Sequence, residues 1–172
     1  RRWRAVVEEY DAVLIGETYV LDPADFGSLL TGDGLHVGFW FKTMHMAWDA
    51  KEIRATLASP LAVAKAPVGW VQASHDDPRP PTRFGGGDAG RNRSLAFSTL
   101  LLGLPGMPFL YQAEELAIPD GIVPPERKSD PVGGDDVTAG RDGCRTPVPW
   151  SLEPGKGFSA TAEPWLPSSH DT

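Results

Sequence analysis

The chain has 172 residues, of which 41% are hydrophobic, which suits one globular domain with a hydrophobic core and excludes a disordered or fibrous protein. The 16 Lys and Arg against 23 Asp and Glu give a formal net charge of −7, and the basic residues are scattered, which argues against a nucleic-acid partner. The single cysteine, Cys144, excludes an intramolecular disulfide, and the longest apolar stretch, residues 94–104, is shorter than the ~20 residues that a membrane span needs.

The first elements along the chain predict two βα units. A helix is expected over residues 2–10, followed by a buried strand in the apolar run 12–15. A second strand is expected over residues 35–41, and a second helix over residues 48–58, closed by Pro60. Because there is no initiating Met and a helical pattern starts at once, we expect the chain to begin within a domain.

The remaining elements continue the same alternation. Residues 69–74 predict a third strand, residues 91–104 a nearly all-apolar and therefore buried helix, and residues 108–112 a fourth strand. From residue 118 to residue 172 the composition turns to Pro, Gly, Asp and Arg and predicts an irregular region. Four strands separated by helices indicate an α/β protein with a parallel sheet, and four is half the number in an eight-stranded barrel.

Acidic residues follow three of the four predicted strands: Glu17, Asp76, and the pair Glu114 and Glu115. In parallel βα barrels the reaction centre lies at the carboxyl ends of the strands, so acids that recur there are placed for shared chemistry. Glycoside hydrolysis needs such groups, because one acid protonates the departing oxygen while others support a positively charged transition state. From position alone, a solvated acid at Glu17 and a structural ion-pair network at Asp76 remain open.

Four segments resemble those of α-glucosidases in glycoside hydrolase family 13, within the α-amylase superfamily. They occur in the family's order and cover nearly the whole chain, and they are residues 14–22 (LIGETYVLD), 69–79 (GWVQASHDDPR), 105–116 (PGMPFLYQAEEL) and 140–150 (GRDGCRTPVPW).

The resemblance implies a role for each matched residue. Glu17 is expected to be the general acid/base, Asp76 to stabilise the transition state, and His75 to bind a sugar hydroxyl. Arg79 follows the family's pattern after the Asp, as a substrate contact or as a residue that orients the loop. The expected substrate is a maltose-like α-glucoside oligosaccharide, with α-1,6-linked, sucrose-type and trehalose-type substrates still open, and neither cofactor nor metal is expected.

The resemblance also implies the C-terminal half of a TIM (β/α)8 barrel, with strands five to eight. We expect a half-barrel core over residues 1–117 and a loop segment over residues 118–172. The nucleophilic Asp of the family, in a Gly-x-Arg-x-Asp pattern, has no match before Glu17. A retaining mechanism needs that group about 5–5.5 Å from the acid/base. The isolated chain is therefore predicted to be inactive and to need the N-terminal half of the barrel as its partner, in the cytoplasm.

Within the matched segments the chain departs from the family at three positions. Ser74 replaces a usual Asn, Trp40 stands where an Asn is common, and Ala113 where a Gly is usual. These changes and the missing nucleophile leave open a second interpretation, a non-catalytic barrel relative with a structural or partner-binding role.

Several other side chains allow both a structural and a functional interpretation. Glu114 and Glu115 are expected to fix a loop rather than touch substrate. For Arg141 and Arg145, bracing of the backbone and lining of the substrate cleft are equally compatible with the sequence. The tryptophans could stack on sugars, although packing in the barrel is the commoner use of aromatic residues. Those concerned are Trp40, Trp70 and Trp150.

Overall fold

The computed structural model describes residues 2–133, 136, 140–160 and 164–168. Helices and strands alternate through the first two thirds of this part of the chain. They are α1 Arg2–Glu9, β1 Ile15–Gly16, α2 Pro23–Leu29, β2 Val37–Phe39, α3 Lys42–His45, α4 Ala50–Leu61, β3 Val68–Trp70, α5 Pro80–Arg83, α6 Gly87–Leu102 and β4 Met107–Pro108.

The strands of the described residues form one four-stranded parallel sheet in the order β1-β2-β3-β4. The register pairs Ile15 with Val37, and Gly69 both with Phe39 of β2 and with Met107 of β4. Sequential order is what βαβ crossovers produce, so the predicted α/β class and its parallel sheet are confirmed. The strands are shorter than predicted, and β1 begins at Ile15 instead of residue 12. The prediction that this strand is buried was wrong, because β1 lies at the edge of the sheet in the described residues and Val13 and Ile15 are exposed.

Three short helices, α2, α3 and α5, were not predicted. The start of α2 had a readable signal, because Asp22 accepts hydrogen bonds from Ala24 N at 2.8 Å and Asp25 N at 3.1 Å, and Pro23 occupies the first turn. Helix α5 also begins with proline, at Pro80. Segments this short carry too few turns for a hydrophobic period to be recognised.

Helix α4 runs through Pro60 to Leu61, so the prediction that Pro60 closes it was wrong. A proline in a helix leaves the carbonyl four residues earlier without its amide partner, and here that carbonyl belongs to Thr56. The indole Nε1 of Trp40 donates to the Thr56 oxygen at 2.9 Å, and Ser59 Oγ lies at 3.3 Å from it. The buried tryptophan therefore replaces the hydrogen bond that Pro60 cannot make.

Helix α6 begins four residues earlier than predicted, at Gly87, and most of its surface is exposed. Its buried residues, Gly90, Ser94, Phe97 and Leu101, recur every three or four positions. Our prediction of a fully buried helix was wrong, because a run of apolar residues does not reveal how much of a helix is covered by neighbouring elements.

The described residues pack as two compact units: residues 1–72 with 97–110, and residues 73–96 with 111–172. The first unit holds the sheet, and its core includes the fully buried Trp40 and Trp70. The Phe26 and Trp40 rings lie 4.9 Å apart, and the Trp70 indole donates to Pro105 O at 2.9 Å. These two tryptophans therefore serve packing, whereas Trp150 of the second unit is exposed.

The second unit is mainly loop, as predicted for the end of the chain. It contains 3-10 turns at Pro125–Arg127, Gly143–Arg145 and Pro154–Gly157, and a small core of Ala113, Ile118 and Val148. The predicted division at residue 117 stays a prediction. In the part of the chain that the structure describes, no helix is long and apolar enough to cross a membrane.

Candidate active site

Glu17 follows β1 directly, in the first unit, and its side chain is exposed. It lines an open cavity of about 400 Å³ together with Trp3, Gly16 and Thr18. Leu29 and Leu35, which precede β2, line the same cavity, so it does not single out the carboxyl ends of the strands, and the acid/base role of Glu17 stays a prediction.

The segment after Glu17 is held by an aromatic contact that sequence reasoning missed. The Tyr19 hydroxyl is hydrogen-bonded to His45 Nε2 at 3.0 Å, and the Tyr19 ring lies 6.0 Å from the ring of Phe41. Tyr19 belongs to the matched segment, but its partners come from the chain after β2, more than twenty residues away. The contact orients the loop that carries Glu17.

Asp76 lies beyond β3, in the second unit, and is surrounded by cationic groups. Its Oδ1 accepts from Arg141 Nη1 at 2.8 Å and from Arg145 Nη2 at 3.0 Å, and its Oδ2 lies 3.5 Å from His75 Nε2. Desolvation raises the pKa of the Asp76 carboxyl, but the hydrogen bond from Arg141, the His75 ring and Arg145 outweigh it and hold this pKa below its usual value. The Asp76 carboxylate thus stays ionised to lower pH than an ordinary aspartate, and its role as a transition-state stabiliser stays a prediction.

Ser74 fixes the turn that presents Asp76. Its Oγ accepts from the Asp76 backbone amide at 3.1 Å and donates to Asp77 Oδ2 at 3.2 Å. A hydroxyl at this position supplies both a donor and an acceptor, so the departure from the family's Asn keeps local hydrogen bonding.

Arg79 is buried, with 1% of its surface exposed, and contacts the backbone of the same unit. Its Nε donates to Cys144 O at 3.1 Å and its Nη2 to Thr146 O at 2.8 Å, while its amide donates to Asp120 Oδ1 at 2.8 Å. Burial lowers the pKa of the Arg79 guanidinium, and nearby Tyr111 and Asp120 oppose that shift. Of the two predicted roles, these contacts favour orientation of the loop, and direct substrate contact stays a prediction.

Of the two acids after β4, Glu114 contacts the backbone, whereas Glu115 is exposed. Glu114 is buried, and its Oε1 accepts from the Tyr111 amide at 3.1 Å. Next to it, Ala113 has a φ of 72°, in the left-handed region that favours glycine, which gives a physical reason for the Gly that is usual there. The Cys144 thiol is no nucleophile candidate, because burial raises its pKa to about 12.

The sequence did not predict that Arg141 and Arg145 contact Asp76. A 3-10 turn at Gly143–Arg145 brings the two arginines to one side of the loop, and only the folded loop reveals their shared partner. The structure therefore brings His75 and Asp76 together with two unpredicted cations in one unit, while Glu17 belongs to the other unit.

The four-stranded parallel sheet defines an α/β fold, and sequence comparison identifies the family. The profile described as "Alpha amylase, catalytic domain" matches residues 1–172, so the chain belongs to the α-amylase family. A probable alpha-glucosidase of Rhizobium meliloti (strain 1021) is 32% identical over 184 residues, covering 98% of this chain and 32% of the relative. An oligo-1,6-glucosidase of Parageobacillus thermoglucosidasius is 26% identical, covering 95% and 35%.

Solved structures give the same result for the fold. An alpha-glucosyl transfer enzyme superposes with a TM-score of 0.88 at 33% identity, over 98% of this chain and 32% of that chain. The trehalose-6-phosphate hydrolase of Bacillus licheniformis, at 21% identity and a TM-score of 0.78, shares the fold over 95% of this chain and 36% of its own. The chain spans about a third of the length of the curated relatives it matches.

Proposed function

We propose that these 172 residues form part of a retaining α-glucosidase that removes terminal α-linked glucose from maltose-like oligosaccharides. The carrying observation is Asp76, a carboxylate beyond a barrel strand that two arginines hold in its charged form. Several similar proteins bear the name alpha-glucosidase, and one of them is 32% identical over nearly the whole chain. A cytoplasmic location stays part of the proposal.

In the proposed mechanism Glu17 protonates the glycosidic oxygen as the bond to the leaving sugar breaks. The nucleophile, supplied by the preceding part of the barrel, attacks the anomeric carbon, and Asp76 stabilises the positive charge that develops on the ring. Glu17 then removes a proton from water, which displaces the enzyme carboxylate and returns the starting anomeric configuration. His75, beside Asp76, would hold a hydroxyl of the same sugar.

The proposal places this chain at strands five to eight of the barrel, with the nucleophile outside it. The sequential parallel order of the four strands and the one-third coverage of relatives fit half of a barrel, and the assignment to strands five to eight rests on the order of the four matched segments. A glucosyl-enzyme intermediate can pass to a sugar instead of water, and a 33% identical structure is that of an alpha-glucosyl transfer enzyme. Transfer is therefore the second candidate, and it uses the same two carboxyl groups.

The test uses the longer protein that carries these residues, with maltose and with p-nitrophenyl α-glucoside. We expect glucose to be released first as the α anomer, which proton NMR resolves before mutarotation. Glu17→Gln should lower kcat/KM on maltose by about 10²- to 10⁴-fold and kcat/KM on the activated substrate much less, since p-nitrophenolate leaves without protonation. The value of kcat should fall on both substrates, because Glu17 also activates the water of the second step. Glu8→Gln is the matched control, because Glu8 belongs to the same unit and pairs with Arg4.

Asp76→Asn should lower kcat on both substrates by about 10²- to 10³-fold, because the lost charge acts on the ring and not on the leaving group. Asp88→Asn, an exposed acid in the first turn of α6, is the control. Unchanged rates for Glu17→Gln and Asp76→Asn would refute the catalytic roles proposed for these two residues, whereas a longer protein without hydrolysis or transfer would favour a non-catalytic barrel relative. Oligosaccharide products longer than maltose would instead favour transfer.

A further inference from the structure

We propose that Asp130 and Arg145 are positioning residues for Asp76, with Asp130 acting as a buried anchor that aims Arg141 at the Asp76 carboxylate. This inference rests on the proposed function, because it assigns to Asp76 the charge on which that function depends. All four residues belong to the second unit.

The contacts of Arg141 distinguish an anchor from an incidental ion pair. Arg141 Nε donates to Asp130 Oδ2 at 2.6 Å and Nη2 donates to Asp130 Oδ1 at 2.9 Å, a bidentate arrangement that fixes the guanidinium plane. The remaining terminal nitrogen, Nη1, points to Asp76 Oδ1 at 2.8 Å. Two of its three nitrogens are thus held by Asp130 while the third holds Asp76.

Exposure falls steadily from Asp76 to Asp130. The Asp76 side chain is 42% exposed, that of Arg141 35%, and that of Asp130 0%. An exposed ion pair alone contributes little, because water and side-chain entropy compete with it. The buried Asp130 carboxylate restricts the side-chain motion of Arg141. The exposed contact between Arg141 and Asp76 is therefore held in place by the buried contact between Arg141 and Asp130.

The backbone around Asp130 is itself fixed. Asp142 Oδ2 accepts from the Ser129 amide at 2.7 Å and from the Asp130 amide at 3.0 Å. Asp130 Oδ2 in turn accepts from the Arg141 amide at 2.9 Å. Asp142 thus binds the backbone at residues 129–130, and Asp130 binds the backbone at residue 141. Asp130 cannot move without breaking these charge-assisted hydrogen bonds.

Arg145 completes the arrangement from a second direction. Its Nη2 donates to Asp76 Oδ1 at 3.0 Å and its Nε donates to His75 O at 2.7 Å. One guanidinium thus holds both the carboxylate and the backbone of the preceding residue. The charges of the two arginines are balanced by those of Asp76 and Asp130. These four side chains therefore place no excess positive charge around the Asp76 carboxylate.

The decisive experiment measures kcat, KM and the pH profile of kcat on maltose for the longer protein and its variants. Asp130→Asn should lower kcat about 10- to 100-fold and change KM less, because Arg141 loses its anchor and Asp76 its orientation. The fall in kcat/KM should be similar on p-nitrophenyl α-glucoside, whereas Glu17→Gln should affect kcat/KM on that substrate much less than on maltose. A crystal structure of the variant should show the Arg141 guanidinium turned away from Asp76.

Two variants of Arg141 separate geometry from charge. Arg141→Lys keeps the cation but cannot span both carboxylates, so kcat should fall while the acid limb of the pH profile stays in place. Arg141→Gln removes a cation that, with His75 and Arg145, faces Asp76 and lowers its pKa. Its loss raises that pKa toward the usual value, so the acid limb should move to higher pH. Arg127→Lys is the control, since Arg127 donates to the carbonyls of Pro164 and Trp165.

The outcomes keep the two proposals apart. Suppose that the longer protein is active and Asp76→Asn is inactive, while Asp130→Asn and Arg141→Lys keep kcat within about twofold of the parent value. That change is smaller than the smallest loss expected from misplacement of Asp76. The positioning role is then refuted and the proposed function stands. If the parent shows no hydrolysis or transfer, the proposed function fails and this role fails with it. Should Asp130→Asn not fold, Arg145→Lys provides the test, with the same fall in kcat expected and an unchanged kcat overturning the role.

Discussion

The Trp40 side chain supplies a hydrogen bond that the backbone of helix α4 lacks. Its indole donates to the Thr56 carbonyl at 2.9 Å, which Pro60 cannot satisfy because proline has no amide hydrogen. The side chain is fully buried, and its ring lies 4.9 Å from that of Phe26. Trp40, which stands where an Asn is common in the family, thus compensates for Pro60 in the following helix α4.

This pairing predicts a coupled effect on stability. Trp40→Phe should destabilise the protein by about 1–3 kcal/mol, because it leaves the Thr56 carbonyl with only the longer hydrogen bond from Ser59 Oγ at 3.3 Å, plus the cost of lost volume. Adding Pro60→Ala restores an amide donor to Thr56 O, so the double variant should recover about 1 kcal/mol relative to the sum of the single variants. Urea denaturation of the four proteins measures this coupling, and strict additivity would show that the indole hydrogen bond contributes nothing.

At the scale of elements, the join between α6 and β4 depends on Gly106. Its φ of 132° is a conformation that other residues rarely adopt, and an added Cβ would lie 2.5 Å from the carbonyl oxygen of Val68. The same Cβ would lie 2.7 Å from the Trp70 indole nitrogen, which donates to Pro105 O. The close approach lets β4 pair with β3.

Gly106→Ala is therefore expected to weaken the β3–β4 pairing and to destabilise the protein by at least about 3 kcal/mol, since strain and a backbone collision add. Gly86→Ala is the matched control: Gly86 also has a positive φ, 71°, but its Cβ would meet nothing within 4 Å. That variant should cost about 1 kcal/mol from strain alone. Equal losses of thermal stability in the two proteins would contradict the collision.

At the scale of the whole molecule, the sheet ends in strands with a partner on one side only within the described residues. The strand β1 pairs with β2, and β4 pairs with β3. Around β1, large side chains are exposed, including Tyr10 at 77% and Val13 at 61%. An open edge beside exposed apolar residues favours association with another chain or with a missing part of the same fold.

The isolated 172-residue chain should therefore show no detectable maltose hydrolysis and should self-associate, as measured by light scattering. Co-expression with the preceding part of the barrel should suppress association and restore activity that depends on Glu17. Hydrolysis by the isolated, monomeric chain would contradict the proposal that the nucleophile lies outside these residues and that a partner has to supply it.

Local patterns in the sequence determined the class of fold and the candidate acids. Alternating apolar runs predicted the four strands, and four ordered segments indicated the family, which the comparisons establish. Both are short-range signals, since strand patterns and motifs are contained in about ten neighbouring residues. For the same reason, the position of Glu17 directly after β1 follows from the amino-acid sequence alone, whereas Asp76 lies six residues beyond the end of β3 and not at the end of the predicted strand.

Only the tertiary structure decided which distant groups meet. Arg141 and Arg145 lie 65 and 69 residues from Asp76, and no local pattern indicates that they share its carboxylate. The passage of α4 through Pro60 and the exposed surface of α6 likewise depend on side chains and neighbours from other parts of the chain. Burial, ion pairing and the rescue of an unpaired carbonyl are properties of packed surroundings, which the chain acquires only by folding.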